Sequence, residues 1–364
     1  MDELRCIGCG SLIQSDEPKQ PGFIPQSKLN DPDETVVCRR CFRLKHYNEV
    51  TPIEITKEDF YRVVSMIGQT QSLVVKIIDI FDIEGSIIPQ ISKLTNHNDL
   101  VVIANKSDLL PHNVKESKLL HHLRKMLSDA NLKPQAIHIM SALKYKNIDT
   151  VVDSILELSE GRDIYIVGAT NVGKSTFVNT ILKAYANAKQ DVITVSKNAG
   201  TTLDFIKIPI GDQFIIDTPG IINEGQLTHY LSEESLKIVT PKKEIKPKVY
   251  QLFSEQTLYI NGFARLDFVK GEKTSFVCYF GEFVTIHRTK LSQADELYAK
   301  HKGKLLSPPM EDEPYEMVPY KFHIGYGKHD VVFPGLGFVT VTGPIDVTVH
   351  MPKQVRPYVR GALI

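Results

Sequence analysis

Gly168-Ala169-Thr170-Asn171-Val172-Gly173-Lys174-Ser175 sets two glycines, a lysine and a hydroxyl at the spacing GxxxxGK[ST]. Glycines let backbone amides converge on phosphate oxygens, and a helix starting at Lys174 adds its partial positive charge. The Lys174 ammonium would reach the β- and γ-phosphates and the Ser175 hydroxyl would ligate Mg²⁺, with Thr176 a further nucleotide contact. Downstream, Asp217-Thr218-Pro219-Gly220 ends an apolar run. There the Asp217 carboxylate would hold Mg²⁺ through water and the Gly220 amide would meet a γ-phosphate. Between them lies Gly200-Thr201-Thr202, where a hydroxyl could complete the Mg²⁺ shell, Thr202 being preferred to Thr201. Lys174, Thr202 and Gly220 are therefore the candidate catalytic contacts.

The base-selecting residues lie upstream. Asn105-Lys106-Ser107-Asp108 has the form NKxD, and its Asp108 carboxylate suits the N1–H and 2-amino group of guanine. Adenine lacks that donor pair, and sites built on such contacts discriminate by roughly 10⁴-fold or more. Ser141-Ala142-Leu143 would supply a backbone amide to guanine O6.

Cys6-Ile7-Gly8-Cys9 and Cys38-Arg39-Arg40-Cys41 form a second chemical constellation. Two CxxC pairs suit a closed tetrahedral Cys₄ shell around Zn²⁺, although the spacer, residues 10–37, exceeds the roughly 15–20 residues common in such sets. Redox-active thiols are the competing reading. Arg39, Arg40, Arg43, Lys45 and His46 cluster there with Phe42 and Tyr47, a combination that fits phosphate contact and base stacking or simply a solvated face. Cys278, in an apolar strand, reads as core packing.

These residues need a scaffold, and the apolar runs supply one. Ser72–Ile80, Leu100–Ala104, Ala136–Met140 and Asp163–Val167 read as strands, and near-continuous apolar runs of this kind mark buried parallel ones. Helical stretches fall near Ile87–Thr95, Val114–Ala130, Ile148–Leu158 and Lys174 to about Tyr185, with further strands at Phe205–Ile210 and Gln213–Asp217. This alternation predicts an α/β doubly wound sheet. A helix is expected at Leu227–Val239, followed by a basic linker from Pro241-Lys242-Lys243 to Pro247-Lys248. Short β segments then follow at Gln256–Ile260, Arg265–Val269, Ser275–Phe280, Val284–His287, Phe338–Val341 and Asp346–Val349, with glycine- and aromatic-rich strands at Phe322–Tyr326 and Phe333–Phe338. Three domains are expected: a zinc module at 1–56, an α/β domain at 57–225 and a mostly β domain at 226–364 that binds RNA or protein.

Composition narrows the classes. Hydrophobic residues are 42% and charged residues 24%, which excludes wholesale disorder and collagen-like chains. Lys+Arg and Asp+Glu balance at 43 each, so net charge alone would not bind nucleic acid and any such contact must be local. No run of eighteen apolar residues occurs and Met1-Asp2-Glu3-Leu4-Arg5 lacks the build of a signal peptide, so no membrane partner and a cytoplasmic location are expected.

Together, residues of about 70–222 resemble the GTP-binding domain of the translation-factor-like GTPases, but with the guanine motifs before the phosphate loop. That order resembles circularly permuted P-loop GTPases, and the same sheet can form because rejoining nearby termini leaves each strand's neighbours unchanged. With its cysteine module and β-rich end, nearly the whole chain resembles the YqeH family, whose relatives are the nitric-oxide-associated GTPases. The resemblance implies GTP hydrolysis in ribosome biogenesis, with the small (30S) subunit or its precursor and ribosomal RNA as partners. It also implies a C-terminal region like the trp RNA-binding attenuation protein. Asn171 matches the phosphate-loop asparagine that holds K⁺ in related potassium-activated GTPases, against a simple loop-shaping role. Many GTPases carry a water-orienting glutamine directly after the DxxG glycine; this chain has Ile221. Slow intrinsic hydrolysis, stimulated by a partner, is therefore expected. The alternative is an RNA-binding scaffold whose GTP merely stabilises one conformation. Nitric oxide synthesis finds no haem- or flavin-binding constellation here.

Overall fold

A computed structural model describes residues 4–7, 11–18, 20–28, 36–47, 54–55, 57–87, 91, 98–185, 194–197, 204–309 and 316–364. The chain divides into two compact units, residues 1–107 with 123–222, and residues 108–122 with 223–364.

In the first unit, helix α1 (Arg39–Tyr47) leads toward a short strand β1 (Glu54–Ile55) and helix α2 (Lys57–Ile67). Then come β2 (Leu73–Asp79), the short helix α3 (Ile83–Ser86), β3 (Asp99–Asn105), α4 (Glu116–Asp129, which crosses between the units), β4 (Ala136–Ile139), α5 (Ile148–Ser159), β5 (Ile164–Gly168) and α6 (Lys174–Tyr185). Strands β6 (Thr194–Lys197), β7 (Asp204–Ile210), β8 (Gln213–Asp217) and β9 (Gly220–Ile221) complete it. The sheet runs β4-β3-β2-β5-β8-β7-β6. Pairing is parallel from β4 to β8, while β7 and β6 join antiparallel at one edge. The sheet is thus mixed, because Gly211 at φ +61° lets β7 turn directly back into β8. The apolar runs become its centre: Leu73, Val74, Val75, Ile77 and Ile78 are fully buried, as are Val101 to Ala104.

Neither α1 nor α2 is among the expected elements. Helix α2 is anchored by Val63 and Ile67, both fully buried and four residues apart on one helical face. The helix expected at Ile87–Thr95 falls largely outside the described residues.

In the second unit, Leu227–Tyr230 forms a 3₁₀ turn and the α-helix α7 starts only at Glu233. The single helix expected over Leu227–Val239 is broken because the Ser232 side chain caps the second piece, accepting from Ser235 N at 3.3 Å. The expected linker ends in a strand, β10 (Lys248–Leu252), and before it Ile245 N donates to Leu109 O while Glu244 binds the His112 backbone and ring. Strands β11 (Gln256–Ile260), β12 (Ala264–Gly271), β13 (Thr274–Phe280) and β14 (Ile286–Lys290) follow, then helix α8 (Ala294–His301). Last come β15 (Val318–Phe333), β16 (Gly337–Met351) and β17 (Tyr358–Gly361). They form one sheet along β10-β13-β16-β12-β11-β14, with β15 on β16 and β17 on β15. Strands β15 and β16 are far longer than the short segments expected: they run past each other through a register shift between Ile324 and Gly327, with the two backbones approaching closely at Gly343. A Cβ on Gly343 would collide with the Gly325 carbonyl. Cys278 lies in this core, and burial pushes its thiol pKa up to about 12, as core packing requires.

One buried group is costly. Lys76, in the middle of β2, is fully buried and its Nζ has no hydrogen-bond partner among the described residues. Burial lowers its pKa from 10.5 to about 7. The unfolded chain therefore binds more protons between those values, so this group makes stability rise from pH 7 toward 10.5. Lys76→Met should raise the melting temperature, by a free energy of up to about 5 kcal/mol at pH 7. Thermal melts across pH should show the gain shrinking as pH approaches 10.5.

Candidate functional site

The site grows from the C-terminal ends of three neighbouring parallel strands. Strand β3 ends in Asn105, β2 ends in Asp79 paired in register with it, and β5 ends in Gly168 paired with Ile77. Ligands bind at such strand ends in open α/β sheets.

Asn105 is buried and bonds in two directions. Its Nδ2 donates to the Val172 carbonyl at 2.9 Å, and its Oδ1 accepts from the Ala142 amide at 3.0 Å. One side chain thus joins the NKxD segment, the phosphate loop and the Ser141-Ala142-Leu143 segment. Lys106, at φ +68°, extends its ammonium to the Asp79 carboxylate at 2.6 Å. Asp108 lies half-buried in the 3₁₀ turn Ser107–Leu109 directly after these residues in the chain.

The Ser141 segment is a closed loop: Ser141 N donates to Lys146 O at 3.2 Å, Lys146 N to Ser141 O at 3.0 Å, and Lys144 N to Ser141 Oγ at 3.0 Å. Because the Ser141 and Ala142 amides are engaged, the Leu143 amide is the one in the triplet without a partner among the described residues.

The phosphate loop requires its glycines. Gly173 has φ +87°, and a Cβ there would collide with Asn105 Nδ2. A Cβ on Gly168 would lie 2.9 Å from Ile77 O, and one on Gly220 only 3.3 Å from the Thr170 methyl. Asn171 is exposed at φ +64°, a backbone conformation that asparagine tolerates. Val172 is buried, Ser175 is half-buried and Thr176 exposed at the start of α6. The Lys174 ammonium is buried between the Asp217 carboxylate and the Thr218 carbonyl. The Thr218 hydroxyl in turn donates to Ile166 O at 2.8 Å. Thr201 and Thr202 lie outside the described residues.

Strand β9 joins this loop. Thr170 N donates to Ile221 O at 2.7 Å, and Ala169 bridges Ile221 in parallel. On another side of β9, Glu54 and Ile55 of β1 pair in parallel with Gly220 and Ile221. Ile221 is 6% exposed. A buried apolar side chain there cannot orient an attacking water.

The cysteines form a separate centre in the same unit. The Sγ atoms of Cys6, Cys38 and Cys41 lie within 4.8 Å of one another, all buried. Cys38 N donates to Cys6 Sγ at 3.2 Å, the kind of contact that supports a metal-bound thiolate. Such a soft, buried sulfur set can hold Zn²⁺; Cys9 lies outside the described residues. The basic cluster beside it is partly structural. Arg39 donates to Pro18 O at 2.6 Å and stacks 4.6 Å over Phe23, and Arg40 is buried. Phe42, Arg43 and Tyr47 are exposed, while the Lys45 and His46 side chains lie outside the described ones.

Asp79 is the residue that motif reading missed. Its signal was a carboxylate closing an apolar strand, and only the register β2 shares with β3 shows that it meets Lys106.

Comparison with known proteins decides the family. Residues 163–257 match the family described as 50S ribosome-binding GTPase, and residues 273–363 match YqeH-like, C-terminal. The GTPase match starts at β5 and leaves Asn105–Asp108 outside, which fits guanine motifs that precede the phosphate loop. The protein YqeH of Bacillus subtilis is 45% identical over the full length of both chains. The chain is a circularly permuted GTPase of the YqeH family. The NO-associated protein 1, chloroplastic/mitochondrial, of Arabidopsis thaliana is 24% identical over 98% of this chain and 76% of its own. The nitric oxide-associated protein 1 of Homo sapiens is 23% identical over 96% and 72%. Family membership brings GTP and GDP with Mg²⁺ to the site, and the collision-prone glycines, the buried lysine and the Asp217 carboxylate fit such a group. Among the described residues, no helix is long and apolar enough to cross a membrane.

Two outcomes follow from this geometry. Gly173→Ala should abolish binding of a fluorescent GDP analogue while the protein remains folded, because the added methyl needs the space of Asn105 Nδ2. Purified protein should carry about one zinc per chain by elemental analysis, and Cys38→Ser should lose the metal and melt at lower temperature.

Proposed function

We propose that this GTPase is a timer in ribosome assembly, acting in the cytoplasm on a precursor of the small subunit and released when GTP is hydrolysed. The observation that carries this reading is the bonding of Gly220–Ile221, which touches the phosphate loop through Thr170 and the N-terminal module through Glu54–Ile55. A segment that senses the γ-phosphate would there be joined to the cysteine module, and the chain leaving it runs on into the β-rich unit. Nucleotide state then has two routes outward.

In this reading Asp108 selects guanine, the Leu143 amide meets O6, and the phosphate-loop amides hold the phosphates with Lys174. Asn105, Lys106, Ser141, Ala142, Gly168, Val172 and Gly173 shape and line the pocket. Ser175, Thr202 and Asp217 would hold Mg²⁺, which neutralises charge developing on the phosphates. Gly220 donates to the γ-phosphate. Ile221 leaves the attacking water without a side chain to orient it, so the ribosomal particle supplies that help. Asn171 holds K⁺ against the phosphates, in the manner of an arginine finger. The cysteine cluster with Cys9 forms a structural zinc module, and Phe42, Arg43 and Tyr47 contact ribosomal RNA by stacking and charge.

GTP turnover by the purified chain, alone and with isolated small or large ribosomal subunits, in matched KCl and NaCl, tests this. Strong stimulation by small subunits in KCl is expected. Stimulation by large subunits instead, in line with the description of the matched GTPase family, would reassign the partner. Tight GTP binding with no stimulation by either would favour the scaffold reading, and equal rates in the two salts would remove K⁺ from the mechanism.

A further inference from the structure

We infer that Asp79 is a positioning residue for the nucleotide site: its carboxylate holds the Lys106 ammonium, so that the lysine stem stands as a fixed wall beside the phosphate loop. The inference rests on the reading that Asn105–Asp108 binds the guanine nucleoside. Asp79 Oδ2 lies 2.6 Å from Lys106 Nζ, and the two side chains are 16% and 24% exposed. Partial burial shields the pair from water and from salt, so it is stronger than an open surface pair.

The carboxylate is itself held in place. Asp79 Oδ1 accepts from Phe81 N at 2.9 Å, and Asp79 N donates to Ser86 Oγ at 2.9 Å. Ser86 Oγ–H donates to Asp82 O at 2.7 Å, and the Asp82 carboxylate caps the helical turn by accepting from Gly85 N. Ile80, Ile83 and Ser86 are fully buried, which pins this turn to the core. Asp79 is thus a charge on a rigid platform, aimed at a lysine whose backbone sits in the left-handed region. The stretched lysine passes the loop with its Cε 3.9 Å from where a Cβ on Gly173 would stand. Without its partner the ammonium would be free to swing onto the phosphates, competing with Lys174 and leaving the nucleoside side of the pocket without its apolar stem.

Two consequences follow. The effect falls on nucleoside binding, so GDP and GTP should be affected alike and the hydrolysis step spared. It also acts only through Lys106, so loss of either partner should make loss of the other irrelevant.

The test uses the full chain with methylanthraniloyl-GDP, a non-hydrolysable GTP analogue of the same label, and single-turnover GTP hydrolysis at saturating protein. Asp79→Asn keeps an acceptor for Phe81 N and removes the charge. It should weaken both nucleotides by about tenfold, as expected for a lost charge-assisted bond, with the hydrolysis rate changed less than about twofold. Lys106→Met should weaken them similarly, and Asp79→Asn added to Lys106→Met should cost nothing more. Additive losses, a loss confined to GTP, or unchanged affinity in Asp79→Asn would overturn the inference. Should Asp79→Asn fail to fold, Lys106→Met leaves the Asp79 turn intact, and unchanged affinity there overturns it equally. Asp108→Asn separates the two readings: its side-chain amide can donate to a 2-oxo group, so preference should move from GDP to XDP. If it does not, the base-recognition reading fails independently of the Asp79 result.

Discussion

The Asn105 side chain ties together three segments that the chain delivers separately. It donates to Val172 in the phosphate loop and accepts from Ala142 after β4, while its own backbone ends β3. An amide side chain can do this because it carries a donor and an acceptor on one rigid plane. The glycine at 173 follows from the same contact, since any side chain there would occupy the volume of Asn105 Nδ2. Inside a buried environment each of these bonds is expensive to leave unmade, so the three segments hold one arrangement.

That bridge also shows why the order of the motifs along the chain is of little consequence to the sheet. Strand β5 lies between β2 and β8, and each pairs with it in parallel. Nothing in those pairings depends on whether the phosphate loop is made first or last. What the permutation changes is the route by which the chain leaves. In this chain the strand after DxxG is bonded to the loop on one side and to Glu54–Ile55 on another, and then continues into the second unit.

The core sheet was legible because its strands are continuous apolar runs with glycine, asparagine or aspartate at their ends, a pattern that burial on both faces produces directly. The phosphate loop and the NKxD segment were legible as motifs because positive φ and close backbone approach leave few residue choices. The rest depended on partners remote in sequence. Two residues, Glu54 and Ile55, carry no periodicity from which a strand could be read, and they become one only by pairing with Gly220–Ile221. The full length of the β15–β16 hairpin was hidden because only short pieces of it, Phe322–Tyr326, Phe333–Phe338, Phe338–Val341 and Asp346–Val349, read as strands, while Gly343, where a Cβ would collide with the Gly325 carbonyl, carries no strand signal of its own. Arg39 and Arg40 read as free charge, but a carbonyl, an aromatic ring and burial take them up. The meeting of Asp79 with Lys106 needed the register of two strands.

The pairing of β1 with β9 has a consequence for synthesis. Domains form in the order in which they emerge, and Glu54–Ile55 emerges long before its partner strand has been translated. For most of translation Glu54–Ile55 must wait without the strand with which it will pair. The last piece of the first unit to be made is the piece that pairs with Glu54–Ile55. A nascent chain that has its guanine motifs but not yet Gly220–Ile221 therefore lacks both the strand that bonds Thr170 of the phosphate loop and the partner of Glu54–Ile55, and the two contacts are made in a single late event.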